Sequence, residues 1–250
     1  MEEYVDKAGF RVIGSRLRIE IEAPHQQVLP FFPQYRPDVI SPGTILDYRN
    51  AQNSCGHQQR GFMNYWAIRS FVESNGGIGL DLGGAGVQHP ACLSLDLCGN
   101  EPHPTYGGPY SGVQVKGDAS DLSMFLDNSF SCVISNHILE HLRCIRLKGN
   151  ETSEEKIKLA CPGREIIDVL MYHWLRVLRP SGYLVSIIPD NRPSEESGSN
   201  VFYQDSSHQH SWRAGEFWQT IVKPILRYIE VISFDTLKNN FSFELACRKK

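Results

Sequence analysis

The chain has 250 residues, 41% of them hydrophobic and 21% charged, with a formal net charge of −3. That is enough apolar content to bury a full core as one large domain or one domain with a small addition. With no basic run longer than Arg248-Lys249-Lys250, there is no stripe of charge to track a nucleic-acid backbone. The acidic start "MEEYVDKAGF" lacks the basic and then apolar pattern of an export signal, and no stretch approaches the ~20 apolar residues of a membrane span. A soluble, cytoplasmic protein without nucleic-acid or membrane partners is expected. The seven cysteines are odd in number and form no C-x-x-C pair, so reduced thiols serving as core filler are expected.

In chain order, residues 1 to 60 carry one alternating segment, "SRLRIEIEA", and then a Pro-rich run, which together read as a cap or lid. From residue 61 to 250 the pattern is that of a single α/β domain. Phe62, Tyr65, Trp66, Ile68, Arg69 and Phe71 mark the core face of an amphipathic helix. Strands follow at residues 77–82, 92–97, 113–117, 130–136 and 182–189, with two more at 228–234 and 241–247. The early ones are short apolar runs without alternation, as expected where helices cover both faces of a parallel sheet. Helices are expected at "REIIDVLMYHWLRVLRP" and "AGEFWQTIVKPILRYI", and residues 143–163 read as a surface insertion. The fold class is therefore α/β, a Rossmann-like, doubly wound and mostly parallel seven-stranded sheet.

Ligands of such a sheet bind across the carboxyl ends of its strands. The first strand ends in "LDLGGAG", where Gly83, Gly84 and Gly86 let a nucleotide-like cofactor approach the backbone. For a dinucleotide a third glycine is missing, since Val87, Gln88 and His89 follow, and Asp81 would face pyrophosphate. A cationic cofactor without phosphate, S-adenosylmethionine, suits Asp81 better. The second strand ends in Asp96, which can accept both ribose hydroxyls, and the third in "GDAS", with Asp118 and Ala119 beside the adenine.

These segments, "GLDLGGAG", "LSLDL", "VKGDASDLSMFLDNSFSCVISNHILEHL" and "RVLRPSGYLVSIIPD", resemble the successive motifs of class I S-adenosylmethionine-dependent methyltransferases, closest to the methyltransferase type 11 group. The resemblance spans about residues 77 to 190. It implies that Asp81, Gly83, Gly84 and Gly86 line the methionine part of the cofactor. By the same resemblance Asp96 and Leu97 hold ribose and adenine, Asp118 and Ala119 hold the adenine edge, and Asn136 and His137 stand near the sulfonium. The sequence departs from the family in its short first crossover, in the Gly- and Pro-rich loop that replaces a second helix, in Ser131 where Asp is common and in Ser181 where Gly is common.

Two histidine groups bear on chemistry. "HILEH" matches the H-x-x-E-H zinc pattern through His137, Glu140 and His141, but it follows a strand directly instead of lying within a long helix, and nothing selects a third ligand from Glu165 or Glu216. No metal is expected there. His141 reads either as a residue satisfied by a backbone carbonyl or as one facing substrate. In "DSSHQHSWRAGEF", His208 and His210 lie on one side of extended chain, where they can present a base, bind a carboxylate or cap the next helix. If a hydroxyl is methylated, a histidine can take its proton at neutral pH, the candidates in order being His208, His210, His141 and His137. The expected function is methyl transfer to a small-molecule acceptor. A methyltransferase-fold binding module and an NAD-dependent oxidoreductase are the alternatives.

Overall fold

The computed structural model describes residues 2–5, 11–15, 18–22, 44–47, 55–74, 77–84, 89, 92–99, 113–142, 164–190, 208–236 and 242–250. Gly86, the loop carrying Tyr106 and Tyr110, and the 143–163 segment lie outside them. The front of the chain forms a four-stranded antiparallel sheet, β1 (Glu2–Val5), β2 (Arg11–Ser15), β3 (Arg18–Glu22) and β4 (Thr44–Asp47), in chain order. Helix α1 (Cys55–Glu73) leads into the second sheet.

That sheet contains β5 (Gly79–Leu82), β6 (Cys92–Asp96), β7 (Val115–Lys116), β8 (Phe130–Asn136), β9 (Leu178–Pro189), β10 (Ile229–Thr236) and β11 (Ser242–Lys249). Its order is β10-β11-β9-β8-β5-β6-β7. Strands β5 to β9 are mutually parallel, whereas β11 runs antiparallel between β9 and β10. The chain leaves β5 toward β6 on one side and later returns to β8 on the other. The switch point of the topology therefore lies between β5 and β8, where a doubly wound sheet opens its ligand crevice.

Alternation along the central strands divides the core into two layers. Val133, Leu184, Ile188, Phe243 and Leu245 face one side, packing with Trp174, Phe217 and Ile221. Cys132, Ile134, Tyr183, Val185, Ile187 and Ala246 face the other, against Phe62, Trp66, Ile68 and Phe71 of α1. The first layer is supplied by two helices. One, α2, runs Arg164–Val169, widens to π winding over Leu170–Trp174 and closes at Leu175–Val177. The other, α3, repeats the pattern over Ala214–Phe217, Trp218–Val222 and Lys223–Ile225. Through α2, Trp174 Nε1 donates to the Ala119 carbonyl at 2.7 Å and His173 Nδ1 accepts from Leu122 N at 3.1 Å, so this helix holds the turn after β7 in place.

Two of the four departures from the resembled pattern, Ser131 and Ser181, have local settings in the structure. Ser131 is fully buried and donates to the Ile78 carbonyl, and a Cβ on Gly77 would stand 2.7 Å from the Ser131 Cβ, so the serine packs where residue 77 must be glycine. Ser181 adopts φ +61°, the left-handed conformation that favours glycine.

At the end of the sheet away from the switch point, Tyr183 joins α1 to β11. Its hydroxyl donates to Glu73 Oε2 at 2.5 Å and accepts from Arg248 at 2.5 Å, while Arg69 pairs with Glu73 at 2.8 Å. Burial, with the bond to Glu73, pushes the Tyr183 hydroxyl up to about 12. Tyr183→Phe is expected to destabilise the domain by about 1.5 to 3 kcal/mol, since a hydrogen bond to a charged group is removed and its partners are left behind. Urea unfolding of the two proteins measures this, and an unchanged midpoint would show that the clasp contributes nothing.

Candidate functional site

The crevice starts from β5. Asp81 is 3% exposed, opposite Ser94 of β6 and Ile134 of β8 in register. Burial holds its carboxyl well above the usual carboxylate range, and the nearby charge of Asp96 adds to the effect. Oδ2 of Asp81, Oγ of Ser94 and Oδ1 of Asn136 are buried and have no hydrogen-bond partner among the described residues. Three orphaned oxygens at the carboxyl ends of three adjacent parallel strands are exceptional, because buried polar atoms are almost always paired.

The glycine turn packs closely against two of them. Gly83 has φ +72°, and a Cβ there would lie 1.9 Å from Ile138 Cδ1, so the turn after β5 interlocks with the turn after β8. A Cβ on Gly84 would stand 2.1 Å from Ser94 Oγ and 2.7 Å from Asp81 Oδ2. Only glycine, with no Cβ, lets both oxygens pack against this turn. The backbone here is held to the neighbouring strand, with Gly83 N donating to the Leu95 carbonyl at 2.8 Å.

Farther along, Asp96 Oδ1 accepts from Cys98 N at 2.9 Å, which shapes the turn after β6 and directs one carboxylate oxygen inward. Leu97 beside it is 65% exposed, an apolar surface at the strand end. Asp118 is exposed and tied to its own turn, its Oδ1 accepting from Ser120 N at 2.8 Å and Ser120 Oγ at 2.7 Å. His89, at the place of a dinucleotide's third glycine, is buried and hydrogen-bonded to Asn64 of α1.

On the other side of the switch point, the chain turns sharply after β8. His137 takes φ +54°, then Leu139–His141 form a single 3-10 turn. The sharp turn swings His137 toward α1 and β11, where its Nε2 lies 2.9 Å from Gln59 Nε2 and 3.1 Å from Ser242 Oγ. Both partners can donate, which puts the ring proton on Nδ1, 3.3 Å from Glu140 Oε1. Glu140 is 1% exposed. His141 Nε2 lies 3.8 Å from the same Oε1, yet neither histidine is aligned for a hydrogen bond and both carboxylate oxygens lack one.

The segment before α3 closes over this turn. Gln209 N and His210 N donate to the Glu140 carbonyl at 2.7 and 3.0 Å, and His210 Nε2 reaches the Leu142 carbonyl at 3.1 Å. His210 also stacks on Trp212 with rings 5.2 Å apart and nearly parallel. His208 meets His141 edge to face at 4.6 Å. Of the four histidines singled out in the sequence, His141 and His208 are therefore brought together beside Glu140, while His137 and His210 are tied into the frame around them. Ser94, Gln59 and Ser242 were missed. Strand alternation could have found Ser94, since it faces Asp81 across one step of the sheet.

Among the described cysteines Cys92, Cys98, Cys132 and Cys247 are free thiols. Burial pushes Cys132 and Cys247 up to about 12, which suits packing and not nucleophilic chemistry.

No family model and no curated protein matches the chain in sequence. Among solved structures it is similar to a SAM-dependent methyltransferase from Archaeoglobus fulgidus, at 16% identity, covering 76% of this chain and 94% of that one with a TM-score of 0.42. It is similar also to one from Aquifex aeolicus, at 13% identity, 70% and 82% coverage and a TM-score of 0.40. A third, from Thermotoga maritima, shares 14% identity over 77% of this chain and 92% of that one, with a TM-score of 0.39. The sheet order, the switch point and the antiparallel strand set into one side give the chain a Rossmann-like, doubly wound α/β fold. No helix among the described residues is long and apolar enough to cross a membrane.

Proposed function

We propose that this chain binds S-adenosylmethionine and transfers its methyl group to the hydroxyl of a small-molecule acceptor. The observation that carries the reading is the set of orphaned acceptors, Asp81 Oδ2, Ser94 Oγ and Asn136 Oδ1, on three adjacent parallel strands at the switch point. A ligand bringing an ammonium satisfies oxygens of this kind, whereas pyrophosphate would meet a carboxylate and be repelled. The residues present fit the cofactor. Asp81, Ser94 and Asn136 hold its amino-acid end, and Gly83 and Gly84 bring the backbone of the turn close to it. Asp96 takes the ribose hydroxyls, Leu97 lies against adenine, and Asp118 and Ala119 border its edge.

When bound, the cofactor supplies a methyl group on a sulfonium sulfur that leaves as a neutral thioether. The protein's part is to align the acceptor with that group, a contribution made through orientation. A hydroxyl must also lose its proton, and the cluster of Glu140, His141 and His208 is the equipment for that.

Calorimetry with S-adenosylhomocysteine tests the cofactor. Micromolar binding is expected for the unaltered chain, with none for NADH. Asp96→Ala should weaken it by about 1.5 to 3 kcal/mol, the range for hydrogen bonds to a charged acceptor. Absence of S-adenosylhomocysteine binding would overturn the reading, and unchanged affinity in the variant would remove Asp96 from the site.

A further inference from the structure

A buried carboxylate whose two oxygens make no hydrogen bond is costly unless a charge compensates it. Glu140 is such a group, and it is not aimed at empty core. One ligand atom each from Glu140, His141 and His208 lies within 4.8 Å of the others. We propose that these three residues hold one divalent transition-metal ion, with zinc the best match, and that its open coordination position receives the acceptor's hydroxyl oxygen.

The donor set argues for the class of ion. Two imidazoles and one carboxylate suit zinc, iron or manganese better than calcium or magnesium, which prefer all-oxygen sites. Three protein ligands, with no fourth among the described residues, match the open sites that bind water or substrate instead of the closed sites that only stabilise a fold. With metal–ligand bonds of about 2.0 to 2.2 Å, ligand atoms around a tetrahedral ion stand roughly 3.3 Å apart. The 3.8 Å between His141 Nε2 and Glu140 Oε1 needs only a small side-chain adjustment to reach that.

Support around the ligands is already built. His137, held by Gln59 and Ser242, places Nδ1 3.3 Å from Glu140 Oε1, where a small rotation of the carboxylate would make it an outer partner of a metal ligand. The two backbone bonds from Gln209 and His210 to the Glu140 carbonyl pin the segment carrying His208 onto the turn carrying the other two. The arrangement differs from the zinc-hydrolase pattern of "HILEH". Glu140 is a ligand and not the group that works the water, His137 is a positioning residue, and the third ligand comes from the segment before α3. It revises the sequence-based expectation that no metal binds.

The proposal deepens the methyltransferase reading and rests on it for the ion's purpose. A hydroxyl oxygen bound to a divalent ion becomes more acidic, so its proton passes to water and the oxygen is left as the nucleophile. Acceptors that also offer a neighbouring oxygen, such as vicinal diols, catechols or 2-hydroxy acids, would be favoured, because the second oxygen can bind as the ion expands from four ligands to five.

The test uses the full chain, stripped with a chelator and titrated with zinc in competition with a chromogenic chelator. One zinc per chain is expected, with an X-ray absorption edge showing nitrogen and oxygen neighbours and no sulfur. His208→Ala and Glu140→Gln should each weaken binding by at least the roughly 10-fold to 100-fold that loss of outer-shell support costs. Both variants should keep their circular dichroism and their affinity for S-adenosylhomocysteine. No stoichiometric zinc in a chain that binds S-adenosylhomocysteine, sulfur in the first shell, or full zinc affinity in both variants would overturn the metal site. Loss of S-adenosylhomocysteine binding in the unaltered chain would instead overturn the methyltransferase reading.

Discussion

Replacing His208 with alanine is expected to lower kcat by about 100-fold to 10,000-fold, the span general acid–base catalysis supplies, while cofactor affinity barely moves. His208 is half-buried, stands against His141 at 4.6 Å and belongs to the group around Glu140, so its loss disables whatever removes the acceptor's proton. The companion variant His210→Ala should cost much less in kcat. Its ring is occupied by the Leu142 carbonyl and stacked on Trp212, so its removal loosens the staple over the turn without removing a member of the Glu140 cluster. Steady-state kinetics on an identified acceptor, with S-adenosylhomocysteine calorimetry alongside, separates the two. Normal turnover in both single variants and the double variant would reduce the segment to a helix entrance.

The second large effect falls on Asp81. Asp81→Asn should weaken S-adenosylhomocysteine binding by about 1.5 to 3 kcal/mol, roughly 10-fold to 100-fold, because a charge-assisted contact is lost. The same change should stabilise the ligand-free chain at neutral pH. The folded-state pKa of Asp81 is raised by burial first and by Asp96 second. The folded chain therefore retains a proton that the unfolded chain has released above about pH 3.9. The resulting contribution to stability is full below that value and is lost as the pH rises through the raised one. Asparagine removes this slope. Cofactor affinity should move the opposite way, falling as the pH drops through the raised value, because a protonated carboxyl no longer attracts an ammonium. Thermal unfolding of both ligand-free proteins between pH 5 and pH 9 checks the first point, and calorimetry across the same range checks the second. An asparagine variant that binds as tightly as aspartate would take Asp81 out of the site.

Much of this was legible from residue patterns, for reasons that can be named. The strand expected at 130–136 is β8 residue for residue, since a run buried on both faces has no polar interruption to blur its ends. The core stripe read in α1 packs as expected, with Phe62, Tyr65, Trp66, Ile68 and Phe71 buried. The glycine turn was visible because only glycine accepts the conformation of residue 83 and the crowding at residue 84. Other features depend on contacts between distant segments. The positive φ of His137 is rare for a side chain of its size, and it decides that this ring turns toward Gln59 and Ser242, 78 and 105 residues away. The burial of Glu140 follows from the lid formed by residues 208 to 212, which no local periodicity encodes. The π winding in α2 and α3 left no trace in the apolar spacing, although in α2 it sets Trp174 against the Ala119 carbonyl.

The placement of β11 bears on how the protein is made. Ser242–Lys249 lie between β9 and β10, so a strand in the interior of the sheet is the last in chain order. While a ribosome is still adding these residues, β10 has no edge to join and β9 exposes its own, and the Ser242 hydroxyl that holds His137 has not emerged. The growing chain can gather its earlier strands, but the sheet and the histidine cluster are completed together only once β11 has emerged. An unpaired apolar edge during that interval is a hazard for aggregation, and protection of nascent chains, more than stability of the finished domain, would then limit the yield of folded protein.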